Sequence, residues 1–105
     1  MDWMTPHGRG FDTSFGYLTG GEDHYTHTVG RTLFGCAGTD LYQTDAPAYG
    51  HNNTYGAFMY NDEAMRIIRA HNRSQPLFLY MATQVSHGPD QVVGGSREMV
   101  VWLVG

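Results

Sequence analysis

Between Asn61 and Pro89 the hydrophobic rhythm of the chain changes twice. Ala64, Ile67, Ile68 and His71 follow the i, i+3, i+4, i+7 spacing of one helical face. Asn61 reads as the N-cap of that helix, with Asp62 and Glu63 placing negative charge in its first turn. Arg66 and Arg69 suit the carbonyl end, and the pattern predicts termination near Asn72, because Pro76 cannot continue a helix. The run Leu77, Phe78, Leu79, Tyr80, Met81, Ala82 is then apolar at every position, as expected of a strand covered on both faces. Helix followed directly by such a strand predicts an α/β fold with a parallel sheet. Thr83, Gln84, Val85, Ser86, His87, Gly88 and Pro89 form a polar turn after it. Ligands of open α/β sheets gather beyond the carboxyl ends of strands, so His87, six residues after Met81, stands where chemistry is usually done.

The rest of the chain lacks so clear a period. Pro6, Gly8 and Gly10, then Gly16, Gly20 and Gly21, punctuate the first third, which predicts turns and extended segments. Residues 28–57 mix small, polar and aromatic types with glycine at 30, 35, 38, 50 and 56, and read as a long irregular excursion. No internal repeat or low-complexity tract is evident. Met99 to Val104 is apolar but too short to span a membrane, which takes about 20 residues. It reads either as an added strand or as an unrelated terminus, and is an aggregation hazard if exposed.

Composition narrows the function classes. A length of 105 residues gives room for one small domain. The net charge is −4, and all six cationic residues are arginines scattered along the chain, so no basic stripe points to nucleic acid. The N-terminus shows no signal peptide. The single cysteine, Cys36, allows no internal disulfide. Asn52-Asn53-Thr54 and Asn72-Arg73-Ser74 are glycosylation sequons if the chain enters a secretory pathway.

The string PLFLYMATQVSHGPDQV, with Pro6, Arg9, Gly10, Phe11, Asp12, Phe15, Gly16 and Tyr17 near the start, resembles the middle of an arylsulfatase B-type sulfatase. Between those blocks stand the spacer Gly20 to His27 and the motif Cys36, Ala37, Gly38, Thr39, Asp40, Leu41, in the family's order. The likeness covers residues 5 to 93, giving a partial sulfatase domain over 1–93 and an unrelated or divergent tail over 94–105. It implies a fragment of an alkaline phosphatase-like domain, a partial parallel-sheet sandwich with long irregular loops. It also implies a secreted or lysosomal parent enzyme, a sulfate ester substrate, and His87 as a residue that contacts the substrate's sulfate.

The same resemblance shows what the chain does not encode. Sulfatases of this type oxidise a cysteine in a C-x-P-S-R-like motif to formylglycine, whose hydrate attacks sulfur; Cys36 is followed by Ala-Gly-Thr and is not that residue. The family holds a calcium-type ion between an Asp pair and an Asp-Asn pair, and neither dipeptide occurs here. Lysines that grip the sulfate have no counterpart, since the chain has none. The sequence thus starts after one catalytic block and stops before the next. Calcium belongs to the parent family and is not expected to be held by this chain alone, and the missing remainder of the domain is the expected partner. Three functions are compatible: a sulfuric ester hydrolase fragment inactive alone, a subunit completed by another chain, or a non-enzymatic module binding anions or sulfated sugars.

Other residues have plainer readings. Glu22, Asp23, His24 and His27 are dense in potential ligands, but H-x-x-H lacks the i, i+4 spacing of helical zinc motifs and glycines flank it, so a solvated loop is expected. Arg9 and Asp12 are expected to bridge a tight turn and hold Phe11 inward. Cys36 reads as a buried or orphaned thiol with no base nearby. The Ile67, Ile68 face is expected to be core.

Overall fold

Three residues of β1, Phe15–Tyr17, begin the sheet that organises the molecule. In the computed structural model, which describes residues 2–30, 35, 37–84 and 91, β1 pairs antiparallel with β4, Leu41–Gln43, so that Phe15 faces Gln43 and Tyr17 faces Leu41. β4 turns through Thr44 and Asp45 into β5, Ala46–Pro47, giving the order β1-β4-β5. Pro47 cannot donate to a ladder and lies on the edge strand, where no donor is needed. β2, Thr28–Val29, pairs antiparallel with β3, Gly38–Thr39, in a separate two-stranded ribbon. The excursion expected over 28–57 therefore contains four short strands.

Before β1, residues Asp2–Met4 and His7–Arg9 form short 3-10 turns. Gly10 closes the second with φ 98°, a left-handed conformation natural to glycine, and donates its N–H to the His7 carbonyl. The Arg9 and Phe11 N–H groups both reach the Pro6 carbonyl. Backbone bonds thus close this turn, and the expected Arg9–Asp12 bridge is not among the ion pairs of the described residues.

Helix α1 runs Gly56–Ala70. Its end agrees with the pattern, but its start lies five residues before Asn61, with Tyr55 as the extended N-cap residue. The reason is tertiary. No side chain caps the helix; the His24 carbonyl accepts the Gly56 N–H at 2.8 Å, satisfying a first-turn donor that a capping side chain would otherwise serve. Glu63 consequently sits mid-helix, where both its oxygens meet Arg66 at 2.6 and 2.7 Å. Past the helix, Asn72 Oδ1 accepts from both the N–H and hydroxyl of Ser74 in a tight polar turn.

The core forms where α1 crosses the sheet. Leu41 is fully buried and packs with Ala48 and Met59, with Phe15 and Tyr60 closing its sides. Phe15 meets the Tyr60 ring edge-on at 5.7 Å. Ala64 is buried as expected, whereas Ile68 is 49% exposed, which corrects its assignment to the core. The early start adds Gly56 and Met59 to the inward face beside Ala64.

The segment after Pro76 departs furthest from expectation. Residues 77–82 form no strand, and both sheets among the described residues are antiparallel, so the expected parallel sheet is absent from them. Leu77, Phe78, Leu79, Tyr80 and Met81 are all exposed, Phe78 by 77% and Tyr80 by 72%. A strand apolar on both faces needs two flanking strands and two covering layers. Among the described residues the segment has a ring contact between Phe78 and Phe11 at 6.0 Å. Among those residues no helix is long and apolar enough to cross a membrane. His87, Cys36 and the 94–105 tail lie outside the described residues.

Candidate functional site

The turn from Glu22 to His27 is built by its own aspartate. Asp23 Oδ1 accepts the N–H groups of Tyr25 and Thr26 at 3.0 and 2.7 Å, and its carbonyl accepts the His27 N–H at 2.9 Å. The Thr26 N–H most of all, then the Gln91 side-chain amide and the Tyr25 N–H, hold the Asp23 carboxyl down from the ordinary 3.8 to about 2. Closing the turn puts His27 at φ 54°, a left-handed conformation that costs a non-glycine residue energy and persists only where surroundings enforce it. The reward is placement, because Glu22 and His27 both point inward.

Inside, the two meet a set of partners drawn from distant parts of the chain. His27 Nε2 faces the Thr54 carbonyl at 3.0 Å and therefore carries the proton there, while Nδ1 lies 3.4 Å from Glu22 Oε1. The same Glu22 oxygen accepts the Tyr60 hydroxyl at 2.5 Å and Gln84 Nε2 at 3.2 Å. Glu22, His24, His27 and Gln84 are all at least 96% buried. The solvated loop expected for Glu22, His24 and His27 is thus overturned: the residues form a polar core, stabilised by hydrogen bonds to groups distant in sequence. Burial pushes the Tyr60 phenol well above its usual range, and the bond to Glu22 adds to the shift, so the hydroxyl is kept as a donor.

Gln91 extends the cluster. Its Oε1 accepts the His24 N–H at 2.6 Å, its Nε2 donates to Asp23 Oδ2 at 2.5 Å, and its carbonyl accepts the Tyr55 hydroxyl at 2.9 Å. Three buried atoms, Glu22 Oε2, His24 Nδ1 and Gln84 Oε1, have no hydrogen-bond partner among the described residues. Gly56 makes room for Gln84: a Cβ there would overlap Gln84 Oε1.

Asp40, from the Cys36 to Leu41 motif, has a separate task. It is 5% exposed and accepts the N–H groups of Leu18 and Thr19 and the Thr19 hydroxyl, fixing the chain where it leaves β1. Among the described residues no three His, Cys, Asp or Glu side chains gather as a metal would require. Tyr60, Gln84, Gln91 and Thr54 were missed as members of the cluster because their partners stand 27 to 68 positions away, beyond the reach of any local pattern.

No family model matches the chain. Mouse arylsulfatase J is 42% identical to it over 90 residues, which are 85% of this chain and 15% of that protein. The chain therefore spans a small part of the relative's length.

Proposed function

This chain belongs to the sulfatase family, and on that premise we propose that it is one part of an arylsulfatase-type sulfuric ester hydrolase domain, inactive alone, that contributes His87 to the sulfate-binding wall. Transition-state charge on a sulfuryl group is stabilised by cations and donors acting together. The oxidisable C-x-P-S-R-like motif, the Asp-Asp and Asp-Asn pairs and the lysines of that machinery are not encoded in these 105 residues. One positioned imidazole supplies on the order of 100- to 10,000-fold, far short of what hydrolysis of a stable ester requires.

The observation that carries the reading is the state of residues 77–82. Five consecutive large apolar side chains on both faces of an unpaired segment are what a central strand looks like without its neighbours. In the complete domain this segment becomes a strand of a parallel sheet, and His87 follows its carboxyl end. The family's calcium is not assigned to this chain. Asp23 and Asp40 are committed to N–H and O–H donors, and Glu22 Oε1 to Tyr60 and Gln84, with no convergence of hard oxygens among them. Asn52 and Asn72 are both exposed, which supports their use as glycan acceptors in a secreted or lysosomal parent.

Nuclear magnetic resonance tests the assignment of His87. Its ring signals should move on adding millimolar sulfate while those of His51 and His71 stay in place. A His87 signal indifferent to sulfate would remove the residue from the proposed wall.

A further inference from the structure

The two sequons stand in turns of opposite construction. Asn72-Arg73-Ser74 is closed from within. Asn72 Oδ1 accepts the Ser74 N–H at 3.1 Å and the Ser74 hydroxyl at 2.9 Å, and the Asn72 carbonyl accepts the Gln75 N–H at 3.0 Å. His71 Nε2 donates to the Gln75 carbonyl at 2.7 Å. Each of these bonds lies within residues 71–75, of which 72–75 are all exposed. Asn72 Nδ2, the atom that carries an N-linked glycan, takes no part in them.

Asn52-Asn53-Thr54 is instead fastened to the core through its backbone. The Tyr25 carbonyl accepts the Asn53 N–H at 2.9 Å, and His27, 1% exposed, donates its Nε2–H to the Thr54 carbonyl at 3.0 Å. Asn53 is held at φ 68°, and the buried Tyr55 follows directly. The side chains of 52–54 face solvent, but their main chain belongs to the polar core. Local sequence does not separate the two sites, since both are sequons without proline at the middle position.

We propose that in the folded chain Asn72 is the acceptor for an N-linked oligosaccharide, and that Asn52 is modified far more slowly. The inference rests on the secretory reading given above. In the transfer, the side-chain amide nitrogen attacks the anomeric carbon of a lipid-diphosphate-linked oligosaccharide. A nitrogen–carbon bond replaces the bond from that carbon to the diphosphate, which leaves with its lipid, and the amide loses one proton. The transferase has to draw all three sequon residues into its own groove, so the turn must open first. Opening 72–74 breaks exposed bonds that water replaces, whereas opening 52–54 strands the buried His27 donor. One stranded buried donor slows modification by roughly 10- to 100-fold.

The folded 105-residue chain, incubated with purified transferase and a lipid-linked oligosaccharide, tests this without reference to where the parent resides. Glycan release in heavy-oxygen water followed by peptide mass spectrometry counts each site separately. Asn72 should fill at least about tenfold faster than Asn52. Synthetic peptides 50–56 and 70–76 should differ far less, because neither retains the core. Hydrogen exchange gives a second readout that needs no enzyme: the Asn53 N–H should be protected about tenfold or more beyond the Ser74 N–H. Equal rates at the two sites, faster filling of Asn52, or the same ratio in the peptides would overturn the proposal, as would Ser74 protection equal to that of Asn53. An Asn72 that fills in this assay but is bare in the natural full-length parent would count against the secretory reading alone, so the two failures are distinguishable.

Discussion

Tyr60 and Glu22 stand 38 positions apart, and the phenol of the first donates to Oε1 of the second at 2.5 Å inside a protein core. The bond joins helix α1 to the 22–27 turn and gives the buried carboxyl one of its few donors. Tyr60→Phe keeps the ring against Phe15 and removes only the donor. It should cost about 1–3 kcal/mol in urea unfolding, the range for leaving a buried polar group short of a partner. It should also change the alkaline limb. Folding raises the Tyr60 value above its ordinary 10.0, so the unfolded chain loses that proton first, and stability falls as pH rises beyond about 10. The variant should lose that part of the slope.

Gly56 tests the fit between helix and cluster. A methyl group there would overlap Gln84 Oε1. Gly56→Ala gains at most about 1 kcal/mol of helix propensity. It should nevertheless destabilise, because Gln84 must swing out and abandon Glu22. Adding Gln84→Ala removes the overlap, so the double variant should be less destabilised than the sum of the two single ones, a coupling read from a double-mutant cycle.

Asp23 gives the turn an acid limit with a definite sign. Its folded value of about 2 lies below the ordinary 3.8, so the stabilisation is present above about pH 4 and is lost as pH falls through about 2. Thermal melts between those values should show a loss of stability that Asp23→Asn lacks.

What the sequence made legible follows from how locally each feature is determined. The end of α1 could be read because Arg66, Arg69 and Pro76 act within one or two turns of it. Its start could not, since it depends on the His24 carbonyl, 32 positions back, and not on Asn61. Strands of two and three residues, such as β2 and β4, are too short to show alternation. The Glu22 and His27 cluster looked like a polar loop for the same reason: what makes it a core is Tyr60, Gln84 and Thr54, each far away in sequence. The apolar run 77–82 pointed to a covered strand, whereas these residues form none and are largely exposed, because a run without period does not say what, if anything, packs on it.

That segment yields a prediction about solubility. Tyr80 is 72% exposed. Tyr80→Glu should therefore change folding stability by no more than about 0.5 kcal/mol. It should raise the concentration at which the chain stays monomeric in light scattering, because it interrupts an exposed apolar run.

On the proposed reading, these 105 residues carry a sulfate-contacting histidine without the nucleophile and metal ligands of the catalytic machinery. Incubation of the purified 105-residue chain with an aryl sulfate, following release of the phenol by absorbance, tests it most directly. The expected result is release indistinguishable from the buffer blank at every protein concentration. Turnover that scales with protein and disappears in His87→Ala would contradict it.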